Sequence, residues 1–392
     1  MAPTEHVGPT HKGDERVTPI ELVLDVAFVL AFSKITAHVV SEHSWFGVLD
    51  AVIILALLWR GWLGFAWLTS IIDPDSPAVR IAIFTAMSAF VVTALIISDF
   101  GHILRPADHH ERLVYGFVAA QVVVRLVNLF LGLRVIRGDE QALRAVIGTA
   151  VGGVISVVLL FLGCWTGSLL LKHSLWALAV IIDYVFPIIF VPFRWRLVAE
   201  RFAERHGLIV IIALGETILA AGVGGDHIAK SMATLLLAVV SVALLAALWG
   251  AYFDGTETAA ERALVSASAG IEQNTLARRA YSVLHLPIVV GAVLIALGPE
   301  LVISHPDEPF DSHIAGAFFG GLALFLLGHV GFEYITTRRL NVPRLAVGFL
   351  MAGLIPFGTV HPAWESLVLA TSIMVVLVST QRIVRGVRSR NR

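Results

Sequence analysis

The sequence predicts an all-α, polytopic membrane bundle of about twelve transmembrane helices, built as two parallel six-helix repeats with both termini in the cytoplasm. Three observations predict it. Of 392 residues, 57% are hydrophobic and only 15% charged, against roughly 25% charged in soluble domains; mean hydropathy is +0.84. Apolar runs of about 20 residues, the length that crosses hydrocarbon, recur along the whole chain. Lys and Arg gather in alternate loops, as the positive-inside rule requires.

The candidate spans lie near 20–40, 46–72, 79–99, 112–133, 145–164, 173–193, 207–223, 231–253, 279–298, 312–334, 344–360 and 363–381. Helices are expected because hydrocarbon leaves backbone polar groups no other partner, and the alternation of outer-membrane strands is absent. Spans 2 and 8 are long enough to tilt, whereas span 11 is short and contains Pro356. With the N-terminus inside, the inner segments carry 21 of the 28 Lys and Arg and the outer segments 4. A miscounted span would invert every later loop and erase that asymmetry.

The domain reading follows. Residues 1–19, polar and holding Pro3, Pro9 and Pro19, form a disordered cytoplasmic leader without the apolar stretch of a cleaved signal. Residues 20–193 form the first repeat, 194–206 a cytoplasmic linker, 207–384 the second repeat and 385–392 a basic tail. The repeat rests on paired features: Gly101–Asp108 against Leu301–Asp307, Arg80 against Arg279, and the Trp-rich ends of spans 2 and 8. An even number of helices per half gives both halves one orientation, around an axis along the membrane normal. The stretch 254–278 reads as a short interfacial helix capped by Thr256, with Glu257, Glu261 and Arg262 on its polar face, or equally as a plain connector.

Composition also excludes functions. A net charge of −1 offers no basic field for nucleic acid. A single cysteine, Cys164, rules out an internal disulfide and Cys-based metal clusters. No phosphate-binding loop, His-Glu-x-x-His or Gly-x-Ser-x-Gly pattern occurs. No metal or cofactor is assigned, and the expected partners are membrane lipids and an unidentified small molecule or ion.

Each ionisable group at mid-bilayer costs kilocalories unless paired or hydrated, so such groups are the candidate site. Glu21 and Asp25 are four apart on one face of span 1, continued by Phe28, Phe32 and Thr36. Arg60 lies deep in span 2; Gln121, Arg125 and Asn128 form a stripe in span 4; Glu216 lies deep in span 7 beside Gly215; His285 precedes Pro287 in span 9. The functional reading is one buried polar centre of Asp25, Glu216, Arg60 and Arg125 with His285 beside it. The plainer reading is a set of packing salt bridges. Trp59 and Trp62, at helical spacing around Arg60, would line an aromatic cavity for a cation or an apolar ligand; Trp67 suits an interfacial belt. Lys34 and His38 read as bland. Asp183, before Tyr184 and Pro187, suits a kink as well as a ligand. His329 and Glu333 could carry protons or bond each other. Asp73 with Asp75, and Asp254 with Glu257, read as solvated helix ends more than as a divalent-cation site.

Two stretches carry a resemblance. Glu21-Leu-Val-Leu-Asp25-Val-Ala-Phe-Val-Leu-Ala-Phe and Arg201-Phe-Ala-Glu-Arg-His206-Gly-Leu-Ile-Val-Ile-Ile-Ala-Leu-Gly-Glu216-Thr-Ile resemble the signatures of the bacterial low-temperature-requirement protein A family. His285-Leu-Pro287 and the tryptophans of spans 2 and 8 fit it too. Val23-Leu24 departs from the aromatics usual there. The resemblance implies a multi-pass protein of the bacterial cytoplasmic (inner) membrane and marks Glu21, Asp25, Glu204, Arg205, Gly207, Gly215, Glu216 and His285. It supplies no activity. A fainter similarity to lysosomal-type potassium channels carries little weight.

The leading expectation is a transporter or channel-like protein for an ion or small molecule, with Glu216 and Asp25 as proton or cation sites. The alternatives are a membrane-embedded enzyme acting on a lipid or isoprenoid, with Glu216 or Asp25 as general acid, and a sensory or assembly protein without turnover.

Overall fold

The computed structural model describes residues 17–97, 111–136, 140–190, 197–225 and 231–390. Most of the leader, the Gly101–Asp108 segment and the linker arginines Arg194 and Arg196 lie outside them. The described helices are α1 (Pro19–Glu42), α2 (Trp45–Thr69), α3 (Pro77–Ile97), α4 (Glu111–Val135), α5 (Glu140–Trp165), α6 (Leu169–Phe190), α7 (Ala199–Gly225), α8 (Met232–Phe253), α9 (Thr256–Ser266), the composite α10 (Ile271–Ser304), α11 (Ser312–Thr337), α12 (Val342–Gly353), α13 (Ile355–Gly358) and α14 (Ala363–Arg390). Among the described residues there is no strand.

Eleven stretches are helical, long and apolar enough to cross a membrane. The twelfth expected span, 344–360, is the exception. It is broken into α12 and α13 at Leu354, with Pro356 opening the second piece. Proline lacks the N–H that would carry the helix through.

Local chemistry sets the other boundaries. Pro19 occupies the first turn of α1, where a missing N–H costs nothing. Ser44 caps α2 by accepting from the Gly47 amide, and Ser231 caps α8 through the Thr234 amide. Gly255, at φ 87°, turns the chain from α8 into α9, a left-handed conformation that glycine adopts freely. The stretch read as an interfacial helix is thus α9 and the beginning of α10. In α9, Thr256, Ala260 and Leu264 are buried at four-residue spacing, one apolar stripe on an otherwise polar helix.

The middle of the molecule is α10 and α2, the most enclosed of the long helices. In α10 the residues Ala277–Val283 form a π-helical turn. One extra residue per turn rotates the helix and aims Tyr281, Ser282 and His285 at α2 and α7. The linker expected through residue 206 ends earlier than that, because α7 begins at Ala199. Arg201, Arg205 and His206 therefore lie inside the bundle, each under a tenth exposed.

Candidate functional site

Helices α1 and α7 pack side by side and run in the same direction. Asp25 and Glu21 of α1 face Arg205 of α7, and eleven residues further along both helices Thr36 faces Glu216. Eleven residues is about three turns, or roughly 16 Å, so both meetings fall on the same stripe of each helix.

The first meeting place is the more crowded. Glu21 accepts from the Thr18 amide at 2.9 Å, closing the first turn of α1, and from the Thr69 hydroxyl of α2 at 2.6 Å. Arg205 Nη1 donates to the same hydroxyl at 2.8 Å and lies 3.6 Å from Glu21 Oε1. Its Nη2 lies 3.6 Å from Asp25 Oδ1, and its guanidinium sits 5.2 Å from the centre of the Trp62 ring. Trp62 Nε1 donates to Asp25 Oδ1 at 2.7 Å. Arg201, one turn back, donates to the Thr69 carbonyl at 3.1 Å. Two acids thus share one guanidinium in a place where Glu21, Asp25 and Arg205 are at most 1% exposed.

Behind Trp62 lies a cluster of rings. Trp59 stacks on Trp62 at 4.8 Å, and His206 meets both edge-on. His206 continues to Tyr281 and His285. His285 Nδ1 faces the Ala280 carbonyl at 3.1 Å, and its Nε2 pairs with the Tyr252 hydroxyl at 2.7 Å. Trp59 Nε1 donates to the Ser282 carbonyl and Trp67 Nε1 to the Ser282 hydroxyl, so the indoles of α2 grip the π-helical turn of α10. Asp25 Oδ2, His206 Nε2 and the Tyr281 hydroxyl are buried here without a hydrogen-bond partner.

Glu216, the second meeting place, is held differently. Ser33 donates to Oε2 at 2.8 Å and Thr36 to Oε1 at 3.0 Å. Among the described residues no Lys, Arg or His forms an ion pair with it, although it is 1% exposed. Glu300 of α10 lies near enough for the two charges to act on each other. A Cβ built on Gly224 would come within 2.3 Å of the Glu300 carbonyl oxygen, so α7 and α10 touch through backbone there; one built on Gly215 meets nothing within 4 Å.

The third site lies among α2, α4, α5, α6 and α10. Arg125 of α4 pairs with Asp183 of α6, which also accepts from Ser156 of α5 at 2.9 Å. Arg125 donates to the Gln121 side chain at 3.1 Å. Arg60 Nε donates to the Asp183 carbonyl at 3.1 Å. These groups border a cavity of about 320 Å³ whose wall also includes Trp67, Asn128 and Arg278.

A model of the family described as bacterial low temperature requirement A protein (LtrA) matches residues 16–379. The chain belongs to the LtrA family. An uncharacterized protein from Rhizobium meliloti (strain 1021) is 27% identical over 354 residues, covering 86% of this chain and 82% of the relative. No solved structure matches. Membership together with the apolar helices makes this a multi-pass membrane protein.

The LtrA chain does not gather its intramembrane charges into one centre. Asp25 and Glu21 meet Arg205, Glu216 stands some 16 Å along the bundle, and Arg60 and Arg125 belong with Asp183. His285 lies beside the first group through His206. The reason is helical rotation. Arg60 is turned about 100° from Trp59 and about 200° from Trp62, so the stacked indoles face α7 and α10 while Arg60 faces α4 and α6. Trp59 and Trp62 accordingly close a packed cluster and do not flank Arg60 around one cavity; the cation over Trp62 is Arg205.

The resemblance marked Arg205, but Arg205 and Arg201 were counted as linker charges and left out of the polar centre, although the Arg201–Ile218 signature contains both. Sequence reasoning passed over Thr69, Ser33 and Glu300, which carry no pattern of their own. Arg344, counted as a loop charge, is fully buried. It contacts His329, lies 3.5 Å from Glu333 and donates to Gln381 at 3.1 Å. Asp75 accepts from Arg80, and Asp254 pairs with Arg382.

Proposed function

We propose that this LtrA protein is a transporter or channel-like protein of the bacterial inner membrane in which Glu216 takes up and releases a proton or small cation. The observation that carries the reading is the company Glu216 keeps among the described residues: two hydroxyl donors, a neighbouring carboxylate and no cation. An ionised carboxylate isolated in a low-dielectric medium is prohibitively costly and neutralises instead. Glu216 is therefore stable in the bundle when it holds a proton or a cation. Asp25 differs, since Arg205 supplies its counter-charge in place. Glu300 of α10 stands near enough for its charge to act on Glu216.

A lipid-directed enzyme using Glu216 or Asp25 as general acid fits less well. The cavity of about 320 Å³ is bordered by Arg60, Arg125 and Asp183 and by neither of those acids.

The test is proton flux into proteoliposomes under an imposed membrane potential, read with an internal pH dye. Wild-type protein is expected to pass protons, and Glu216→Gln, monodisperse and of unchanged melting temperature, is expected to pass at most a tenth as many. Equal flux from the variant removes Glu216 from the mechanism.

A further inference from the structure

The cavity between α2, α4, α5, α6 and α10 lies apart from Glu216, and its charges do not balance. Asp183 is committed to Arg125 and Ser156. Arg60 gives one hydrogen bond, from Nε to a backbone carbonyl. Among the described residues no carboxylate lies within ion-pairing distance of its guanidinium. Arg278 also lines the wall and donates to the Pro187 carbonyl at 3.3 Å. Arg60 and Arg125 thus border the space with one acid, Asp183, between them.

Two arginines at membrane depth that share the one carboxylate of Asp183 are costly. A guanidinium is also the side chain whose planar fork matches carboxylate and phosphate oxygens. The remaining wall is apolar. Leu126 of α4, Val154 and Val158 of α5 and Ile188 of α6 line the cavity, and each is between 47% and 64% exposed. Exposed apolar side chains on membrane-spanning helices suit contact with lipid, which makes this side the candidate mouth. Its volume of about 320 Å³ is at the low end of small-molecule sites, which run about 300–1,000 Å³, and suits one head group with part of one chain.

We propose that this cavity binds a single-chain anionic amphiphile, its carboxylate or phosphate on Arg60 and its alkyl chain leaving between α4, α5 and α6. A neutral lipid would leave Arg60 and Arg125 with Asp183 alone between them, and a cationic one would be repelled. The site is independent of the proton or cation site at Glu216, so either can fail alone.

Native mass spectrometry of the full chain, released from a neutral detergent, tests it with four probes: dodecanoate, dodecyl phosphate, dodecanol and dodecyltrimethylammonium. One equivalent of dodecanoate or dodecyl phosphate is expected to remain bound, and the stronger of the two names the head group. Dodecanol and the ammonium probe are expected to bind at least tenfold more weakly. Arg60→Gln is expected to weaken the anionic probe at least tenfold. Val154→Trp, which narrows the mouth from the lipid side without touching a charge, is expected to do the same. Equal retention of dodecanol, or undiminished binding of the anionic probes in either variant, overturns the assignment. Should Arg60→Gln fail to fold, the Val154→Trp result decides.

Discussion

Arg205 Nη2 on α7 and Asp25 Oδ1 on α1 lie 3.6 Å apart, and both side chains are 1% exposed. The contact joins residues from the first and seventh described helices and fixes how they sit together. Glu21 shares the same guanidinium. Arg205→Met is therefore expected to strand two buried acids, at a cost of about 3–5 kcal/mol. Adding Asp25→Asn and Glu21→Gln to that variant should recover part of the loss. Denaturant unfolding in micelles measures both; strict additivity of the three changes would show that the groups do not interact.

Trp62 donates to Asp25 with its only polar atom. Trp62→Phe keeps a ring against Trp59 and His206 but removes that donor. Asp25 Oδ2 already lacks a partner, so the variant is expected to lose about 1–3 kcal/mol, seen as a lower melting temperature. A melting temperature unchanged from wild type would mean that Asp25 draws its stabilisation from Arg205 alone.

Two glycines of α7 should respond in opposite directions. At Gly224 a methyl group would strike the Glu300 backbone, and backbone cannot swing aside, so Gly224→Ala is expected to cost about 1–3 kcal/mol through overpacking. At Gly215 a methyl group meets nothing, and alanine is the better helix former by up to about 1 kcal/mol. Gly215→Ala should leave stability equal or higher. Melting temperatures of the two single variants, measured side by side, check the contrast.

Asp50 of α2 is 1% exposed and lies between His38 of α1 at 3.4 Å and His173 of α6 at 3.0 Å. His173 Nδ1 already faces the Leu169 carbonyl at 2.6 Å, which leaves Nε2 for the carboxylate. Asp50→Asn replaces a doubly accepting carboxylate by a group with one acceptor and two donors. A loss of about 1–3 kcal/mol is expected, and Asp50→Leu should lose more. Hydrogen exchange at the adjoining ends of α1, α2 and α6 would locate the loosening.

Much of the site was present in the sequence as a list of residues. Glu21, Asp25, Glu216 and His285 could be singled out because an acid or a histidine in an apolar run is conspicuous. Their grouping could not be read. The placement of Arg60 shows why: Trp59, Arg60 and Trp62 are neighbours in sequence, yet one step around a helix sends the arginine to a different neighbour from the two indoles. Arg205 shows the converse. Residues 194–206 hold four arginines and look like a cytoplasmic linker, but α7 starts at Ala199 and carries the last of those arginines to Asp25. Ser33 and Thr36, whose hydroxyls define the environment of Glu216, are unremarkable in any apolar helix.

Hydrocarbon imposes a local rule: a backbone that cannot bond to water must bond to itself, so runs of about 20 apolar residues become helices whatever surrounds them. That rule, with the composition, determined from the sequence alone that this is a helical membrane protein, and nearly all of its spans. Pairing is not local. Which acid meets which arginine depends on the rotation of each helix about its own axis and on which helix stands beside it, set by side-chain packing between residues distant in sequence, 180 positions apart for Asp25 and Arg205. Only the tertiary structure could decide that Asp25 has a counter-charge, that Glu216 has none among the described residues, and that Arg60 borders a cavity.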